Sequence, residues 1–372
     1  MLIRFQTVPH FMPVSLPVTF FFPYPSELAD LDRHDLTNPS FDNYHFYSEE
    51  GQTRRRGWLL QTYLWLRHSG YEVSISDTLP QEGIVVVLPE AFSLSQFYRQ
   101  YGRAHRSLFI LTIRADIYGF RSSLGDADIV QNGRFSDEER TFFVPHWPQP
   151  GLRPRDPSRG FQIRTLVFKG GYGNLHSDFR SAVWKNYLEQ RGLTFQISSA
   201  ETEGKIPSWR DYRTADLNVA VRPSFNDGGL RFDKPASKLV NAWHAGVPSL
   251  LGKEYAYQEL RQSPLDYIEI ETIEEAMTAI DQLLEHPILY RDMIDNGLER
   301  ARAFTPERIA ARWAEVLFDF LPEIASTRAF RLSRSLPLPA RRVSNFATMP
   351  PSSFELRKKV GQLIRTLSPS ES

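Results

Sequence analysis

Two blocks of alternating apolar strands and amphipathic helices, separated by a proline-rich connector, limit most strongly what this chain can fold into. Residues 145–160 contain five prolines, a density that supports neither a helix nor a central strand. Strands that alternate with helices form parallel sheets. The sequence therefore predicts two doubly wound parallel α/β domains, over 1–150 and 163–326. A hinge over 151–162 joins them, and a basic tail follows over 327–372.

Short apolar runs mark the expected strands. Residues 83–88 form an unbroken aliphatic series, which is typical of a strand buried on both faces of a parallel sheet. The first block predicts strands at 18–24, 71–76, 83–88, 107–113, 128–131 and 141–144, and the second at 163–168, 194–197, 217–221, 247–251 and 267–270. Helical spacing of apolar residues predicts helices at 53–69, 93–101, 178–190, 208–214, 235–244, 272–286, 288–303 and 306–321.

Charge and composition exclude several classes of function. The 44 basic residues balance the 44 acidic ones, which argues against nucleic acid as a partner. The absence of cysteine excludes disulfides, thiolate metal sites and a cysteine nucleophile. Prolines interrupt the apolar run at 14–22, so it fits neither a signal peptide nor a membrane span. We therefore expect a cytoplasmic protein.

The last stretch, 327–372, differs from the rest in charge, with nine Lys and Arg against two Asp and Glu. One interpretation is a solvated tail, disordered or partly helical. The alternative is a weak contact with the inner face of an anionic membrane, through the amphipathic piece 354–367. A single short helix binds lipid weakly, which favours the solvated tail.

A glycine-rich turn follows the first strand of the second block and precedes a helix. It comprises Lys169, Gly170, Gly171, Tyr172, Gly173 and Asn174. Its glycines allow the backbone to approach an anion closely. The spacing fits neither the dinucleotide fingerprint nor the Gly-Lys-Ser/Thr of a phosphate-binding P-loop. The turn is either a phosphate contact or simply a turn.

A second loop places two cations where a helix begins. Pro235 suits the first helical turn, and Lys234, Ser237 and Lys238 surround it. Two lysines at this end oppose the helix dipole, which favours negative charge there. The conflict is resolved if an anion such as a diphosphate binds between them. The alternative is a surface helix with solvated lysines.

From this loop onward the sequence resembles the donor-binding half of GT-B fold glycosyltransferases. The resemblance rests on two segments. They are Lys-Pro-x-x-Lys-Leu from Lys234 and the helix ending Ala-Trp-His-Ala-Gly-Val-Pro248, which is followed by an apolar strand. In related retaining enzymes, family-four-like or family-one-like, two Glu residues separated by seven others hold the nucleotide ribose and the transferred sugar. Those positions fall on Asp233 and Asn241, so the Glu-x7-Glu motif is degenerate here.

The resemblance implies two Rossmann-like domains facing each other across a cleft, with a UDP- or GDP-linked sugar as donor substrate, no metal and no other cofactor. It places Arg222 where a cation can reach phosphate. The implied donor-binding residues are Lys169, Gly170, Gly171, Gly173, Asn174, Arg222, Asp233, Lys234, Ser237, Lys238 and Asn241.

The first block should supply the binding site for the acceptor, which is a glycan, a lipid or a small molecule. Arg114 and Asp116 follow one of its strands and are the candidate catalytic pair, the alternative being an ion pair that caps the strand end. His146 and Trp147 are expected to pack at the hinge. The implied activity is that of a hexosyltransferase of carbohydrate biosynthesis, with a retaining outcome favoured. A sugar-nucleotide epimerase and a non-catalytic, degenerate transferase that acts as a binding protein are the alternatives.

Overall fold

Two all-parallel sheets organise the chain, of which the computed structural model describes residues 16–31, 55–115, 124–203, 208–223 and 234–347. The first sheet has six strands in the order β2-β1-β3-β4-β5-β6. Its strands are β1 (Val18–Phe21), β2 (Val73–Ser76), β3 (Gly83–Val87), β4 (Leu108–Ile113), β5 (Ala127–Val130) and β6 (Thr141–Phe143).

The second sheet has five strands in the order β11-β10-β9-β7-β8, again all parallel. Its strands are β7 (Thr165–Lys169), β8 (Thr194–Ser198), β9 (Leu217–Ala220), β10 (Ser249–Leu251) and β11 (Ile268–Glu269). Eleven strands were predicted, and each is present within a few residues of its expected bounds. The predicted fold class, two doubly wound parallel α/β units, is confirmed.

Helices cover both sheets. They are α1 (Pro25–Leu31), α2 (Gln61–His68, preceded by a π-helical stretch at Arg56–Leu60), α3 (Ser95–Ala104), α4 (Ala182–Gln190), α5 (Ala200–Glu203), α6 (Ser237–Ala245), α7 (Tyr255–Gln258), α8 (Ile273–Glu285), α9 (Pro287–Ala301), α10 (Pro306–Ala314), α11 (Leu321–Ser326), α12 (Arg328–Ser335) and α13 (Leu338–Ala347). In the described part of the chain, none combines the length and the apolar character that a transmembrane helix requires.

The first sheet is buried on both faces, because successive side chains of a strand point in opposite directions. Phe20 joins the apolar cluster formed with α2 and α10, whereas Phe21 joins the cluster formed with α3. The unbroken aliphatic run of β3 divides in the same way between the two clusters. This explains why these strands are continuously apolar rather than alternating.

The chain returns to the first sheet after completing the second. Ile309 and Trp313 of α10 and Leu321 of α11 are buried in the same cluster as β1 and α2. The sequence places residues 306–326 in the second domain. In the structure, α10 and α11 within this range pack on the first sheet instead. The reason is physical: the exposed side of the first sheet needs an apolar cover, and the apolar face of α10 supplies it.

The tail is helical as far as Ala347, in agreement with the predicted partly helical tail, and this part is docked on the first unit rather than solvated. Phe330 of α12 stacks on Phe109 of β4, with ring centroids 4.9 Å apart. Arg334 and Arg341 are buried, at 8% and 1% exposure. The amphipathic piece 354–367 lies outside the described residues.

The helix predicted at 208–214 is wrong. The chain there forms turns, and Asp211 pairs with Arg153 in an isolated parallel bridge. One side-chain and one backbone hydrogen bond hold this conformation in place: Trp209 Nε1 donates to the carbonyl of Ser198 (2.9 Å), and the backbone N–H of Tyr212 donates to the carbonyl of Arg153 (2.9 Å). These tertiary contacts outweigh a weak local helical preference.

The proline-rich connector is bound to both units. Trp147 is buried against the first unit, where its Nε1 donates to Thr62 Oγ1 (2.8 Å) and its ring stacks on Trp65. From Arg153 onward the backbone bonds to the second unit, for example Arg155 N–H to the carbonyl of Ala245 (3.0 Å). Trp147 and His146, which contacts the Trp58 ring, pack at the hinge as predicted.

Candidate functional site

Each sheet has one position where the direction of strand addition reverses, and ligands of open α/β sheets bind at the carboxyl ends of the strands there. In the second sheet this position lies between β7 and β9, because β8 was added on one side of β7 and β9 on the other. In the first sheet it lies between β1 and β3. The glycine-rich turn follows β7, and Arg222 follows β9. The predicted donor loops therefore lie at the reversal position of the second sheet.

Gly170 and Lys238 meet at this position. Gly170 has φ of +153°, and a Cβ atom added to it would lie 3.2 Å from both Cε and Nζ of Lys238. The Lys238 ammonium also lies 5.6 Å from the centroid of the Phe168 ring. A residue with a side chain at position 170 would therefore displace the lysine. Gly170 and Lys238 are 68 positions apart in the sequence, so the fold brings into contact the two loops that the sequence singled out.

Helix α6 begins at this point with its positive end unprotected. The preceding residue, Ala236, has no side chain able to cap the helix, and the first turn contains no acidic residue. Helices ordinarily begin with a capping oxygen or an acid near the first turn. Ser237 and Lys238 occupy the first turn, and Lys234 lies three residues before Ser237. Unbonded backbone N–H groups and a cation therefore belong to the same first turn, a combination that suits an anion.

Asn174 and Arg222 connect the two strand ends. Arg222 Nη1 donates to Asn174 Oδ1 (2.8 Å), and Arg222 Nε donates to the carboxylate of Glu254 (2.9 Å). Glu254, which the sequence analysis missed, thus neutralises much of the Arg222 charge. Arg222 positions the glycine-rich turn, and Lys238 remains the more direct cation at the turn.

Lys169 differs from its predicted role. Its side chain is 6% exposed, and Nζ donates to the carbonyl of Ser208 (2.8 Å), above the ring of Tyr212. The ammonium is thus bound to protein atoms behind the turn. Burial lowers the pKa of Lys169 to about 8, although the charges of Glu203 and Asp211 act in the opposite direction.

This shift gives a testable pH dependence of stability. Because folding lowers the pKa of Lys169 from 10.5 to about 8, the unfolded chain binds more protons between these values, and the free energy of unfolding rises with pH there. Between about pH 7.5 and about pH 9.5, we expect the free energy of unfolding to rise by about 2 kcal/mol less in Lys169→Met than in the wild type. Urea unfolding at both pH values measures it. The exposed Lys185→Met serves as control, and an equal rise in all three proteins would contradict the assignment.

Of the two positions of the degenerate motif, the structure describes Asn241. Asn241 is buried in α6, and its Oδ1 accepts the backbone N–H of Gln149 (2.9 Å) in the connector. This contact links the helix of the donor site to the hinge. Asp233 and Asp116 lie outside the described residues. Gly171 and Gly173 lie in the turn, with Asn174 Nδ2 3.1 Å from the Cβ position of Gly171.

Arg114 forms an ion pair at the end of β4. Its Nη1 lies 3.2 Å from Oδ2 of Asp128, a fully buried carboxylate, and its backbone N–H donates to the carbonyl of Ile129 (2.8 Å). Arg114 thus pairs at the strand end with Asp128, an acid that the sequence did not single out, and the predicted pairing with Asp116 stays a prediction.

A cavity of about 190 Å³ opens at the reversal point of the first sheet, where the sequence analysis had identified no pocket. Tyr24 and Arg55 form one wall, with the guanidinium 3.9 Å from the ring centroid, and Arg55 also pairs with Glu27. Arg55 belongs to a row of three arginines at 54–56, which is a signal in the sequence that could have indicated a charged site here. The cavity is lined by Phe21, Pro23, Tyr24, Arg55, Leu59, Leu88, Glu90 and Ala91.

The two units face each other across a narrow crevice. His146 and Gln131 line it from the first unit and the connector, and Ser237 and Leu260 line it from the second. At one edge the Glu259 carboxylate accepts the N–H groups of Gly133 (3.0 Å) and Arg134 (3.1 Å). Opening this edge would separate a carboxylate from two backbone donors.

Within the described ranges, no group of three or more His, Asp or Glu side chains is arranged to hold a metal ion.

Comparison with known proteins gives structural similarity without detectable sequence similarity. No protein-family model matches the sequence, and no curated protein matches it either. HepE from Anabaena, solved in complex with UDP-glucose, is similar over 81% of this chain and 99% of its own, with 13% identity and a TM-score of 0.47. Sucrose-phosphate synthase from Thermosynechococcus elongatus is similar over 75% of this chain and 80% of its own, with 12% identity and a TM-score of 0.44.

TarM is similar over 70% of this chain, with 11% identity and a TM-score of 0.46. That match spans 58% of the TarM chain, so this protein corresponds to a little over half of its length. Identities and scores of this size leave the family of the chain open.

Proposed function

We propose that the protein is a GT-B-type glycosyltransferase that transfers a sugar from a nucleoside diphosphate donor. The observation that carries the proposal is the meeting of Gly170 and Lys238 at the reversal point of the second sheet. Lys238 belongs to the uncapped first turn of α6, and its ammonium lies beside the glycine turn. These are the groups that bind a diphosphate.

The same groups suit the chemistry of sugar transfer. The transition state resembles an oxocarbenium ion, and negative charge develops on the departing phosphate. Lys238 and the N–H groups of α6 would stabilise that charge without reorganisation during the reaction. The proposal therefore needs no divalent metal and no cofactor beyond the UDP- or GDP-linked sugar itself. Lys234 would add a second positive charge near the helix start.

The cavity between β1 and β3 is our proposed acceptor site. It lies at the carboxyl end of its sheet, as the donor loops do in theirs. Tyr24 offers a ring on which a sugar can stack, and Arg55 and Glu90 offer groups that bind hydroxyls. Acceptors with a sugar ring, whether free, in a glycan or on a lipid, fit this lining. Closure of the units about the connector would exclude water and protect the donor from hydrolysis.

A transfer assay tests the function. The full chain is incubated with UDP- and GDP-linked sugars and with sugar acceptors, and released nucleoside diphosphate is measured. Acceptor-dependent release supports the proposal, and we expect the anomeric configuration of the donor to be retained in the product, as NMR would show. Epimerised donor without release would indicate an epimerase. Binding without either reaction would indicate a non-catalytic binding protein.

Removing the Lys238 ammonium tests the donor site directly. We expect Lys238→Ala to weaken binding of UDP or GDP roughly 5- to 150-fold, which corresponds to about 1–3 kcal/mol for one charge-assisted contact. Isothermal titration calorimetry measures the change. Lys185→Ala removes an exposed lysine from another helix of the same unit and should bind like the wild type. Equal affinity of all three proteins would remove Lys238 from the site.

The proposal includes a cytoplasmic site of action, with contact between the basic C-terminal region and the inner face of a membrane. The charge of 327–372 supports this contact.

A further inference from the structure

Helices α12 and α13 each bury an arginine and expose an aliphatic side chain. The residues of α12 and α13 that point into the protein include Arg334 and Arg341, which are 8% and 1% exposed. The residues on the opposite sides are Leu332 and Val343, which are 58% and 69% exposed. Arginines are rarely buried in proteins, and aliphatic side chains gain nothing from facing water.

The inward arginines are held by one carboxylate and one carbonyl. Asp126 lies within ion-pair distance of both guanidinium groups. The carbonyl of His105, at the end of α3, accepts from Nη1 of Arg334 (2.7 Å) and from Nη1 of Arg341. This docking fixes the rotation of both helices about their axes. The outward position of the aliphatic side chains is therefore imposed by the structure.

The outward face combines aliphatic side chains with positive charge. Leu332 lies one residue from Arg331, and Val343 lies one residue from Arg342, both of which are exposed. Leu336, between the two helices, is 37% exposed. The segment 327–347 contains five arginines and no acidic residue.

The neighbouring end of α3 adds charge of the same sign. Residues 99–106 contain three arginines and no acidic residue, and Arg99, Arg103 and Arg106 are all exposed. Because His105 bonds to both docked helices, this end of α3 adjoins them. Exposed aliphatics bordered by arginines on two sides fit a surface that is anionic outside and apolar beneath.

We propose that the outward face of α12 and α13, with Leu332, Leu336 and Val343 at its centre, docks on an anionic lipid bilayer. Charge decides between this occupant and an apolar protein surface, because an apolar partner would remove Arg331, Arg103 and Arg106 from water without offering them negative charge. This inference rests on the membrane contact included in the proposed function and names the surface that makes it, but it does not depend on the proposed sugar transfer. It places the first unit, rather than the second, against the membrane.

Vesicle co-flotation of the full chain without nucleotide tests the face. We expect binding to vesicles of phosphatidylcholine mixed with phosphatidylglycerol, weakened by salt, and little binding to phosphatidylcholine alone. Leu332→Ser/Val343→Ser should reduce partitioning roughly tenfold or more. Arg331→Gln/Arg342→Gln should reduce it roughly 25-fold, at about five-fold for each charge.

A matched double variant controls for exposed aliphatics in general. Val183 and Ile288, in the second unit, are 60% and 67% exposed, and Val183→Ser/Ile288→Ser should bind vesicles like the wild type. All variants change surface positions, and circular dichroism verifies that each is folded. No binding to anionic vesicles overturns the proposal. Binding of Leu332→Ser/Val343→Ser at the wild-type level also overturns it, because membrane contact would then be made by residues after 347. A dimer that this variant dissociates, measured by light scattering, would show that a second copy covers the face instead.

Discussion

Replacing Asp216 by alanine is expected to lower the free energy of unfolding by about 3–5 kcal/mol, the usual effect of leaving buried cations without their partner. The Asp216 side chain has no exposed surface. Its oxygens accept from Nε and Nη2 of Arg155 (3.0 and 2.8 Å) and of Arg159 (2.8 and 2.6 Å). They also accept the N–H groups of Arg164 and Thr165, both at 2.9 Å.

These contacts attach the end of the connector to the second sheet. Burial by itself raises the pKa of Asp216, but the hydrogen bonds from Arg159, Thr165 and Arg164 outweigh it and lower the pKa overall. A lowered carboxyl pKa stabilises the fold at neutral pH, and this contribution is lost only as the pH falls through the acid range. Asp216→Asn, which keeps the shape and removes the charge, should therefore also be destabilised.

Urea unfolding at neutral pH measures the effect, and Asp211→Ala is the matched control. Asp211 pairs with Arg213 at the surface, only five positions away, where an ion pair contributes little. We expect a loss of less than about 1 kcal/mol for the control. Equal losses in the two variants would show that the Asp216 network is no stronger than a surface pair.

Replacing Asp126 by alanine is expected to release α12 and α13 from the first sheet, with a loss of about 3–5 kcal/mol in the stability of their docking. Arg341 is 1% exposed and would remain buried without its carboxylate. Asp126 Oδ2 also accepts the N–H of Ile110 (2.8 Å) in β4, so the carboxylate joins the sheet to the helices.

Hydrogen exchange read by mass spectrometry tests this release. In Asp126→Ala, amides of 328–347 should lose protection, whereas those of β7 in the second sheet should keep it. Asp292→Ala removes an exposed carboxylate paired with Arg291 and should leave both regions protected. Loss of protection over the whole chain would mean that Asp126 supports the fold globally, and unchanged protection over 328–347 would mean that the helices dock without it.

Much of the site could be predicted from the sequence because its signals are local. Gly170 gives the turn the backbone freedom that a close approach to an anion requires. Lys238 places positive charge at the start of a helix, where the helix dipole favours negative charge. Both signals can be read within a few residues of sequence. That both bind one donor remains a prediction, but their meeting at one place follows from the strand order. The cavity at Tyr24 and Arg55 was missed, since its walls come from segments whose proximity depends on how β1 and β3 pair.

The amino-acid sequence by itself determined the strands, the two-sheet order and the connector, because continuous apolar runs and proline act on the backbone locally. The tertiary structure alone decided which basic residues are buried and which face solvent. Arg341 and Asp126 are 215 positions apart, and nothing near Arg341 in the chain distinguishes it from the exposed Arg342. A charge can be buried only where a distant partner compensates its desolvation, and folding brings that partner into place.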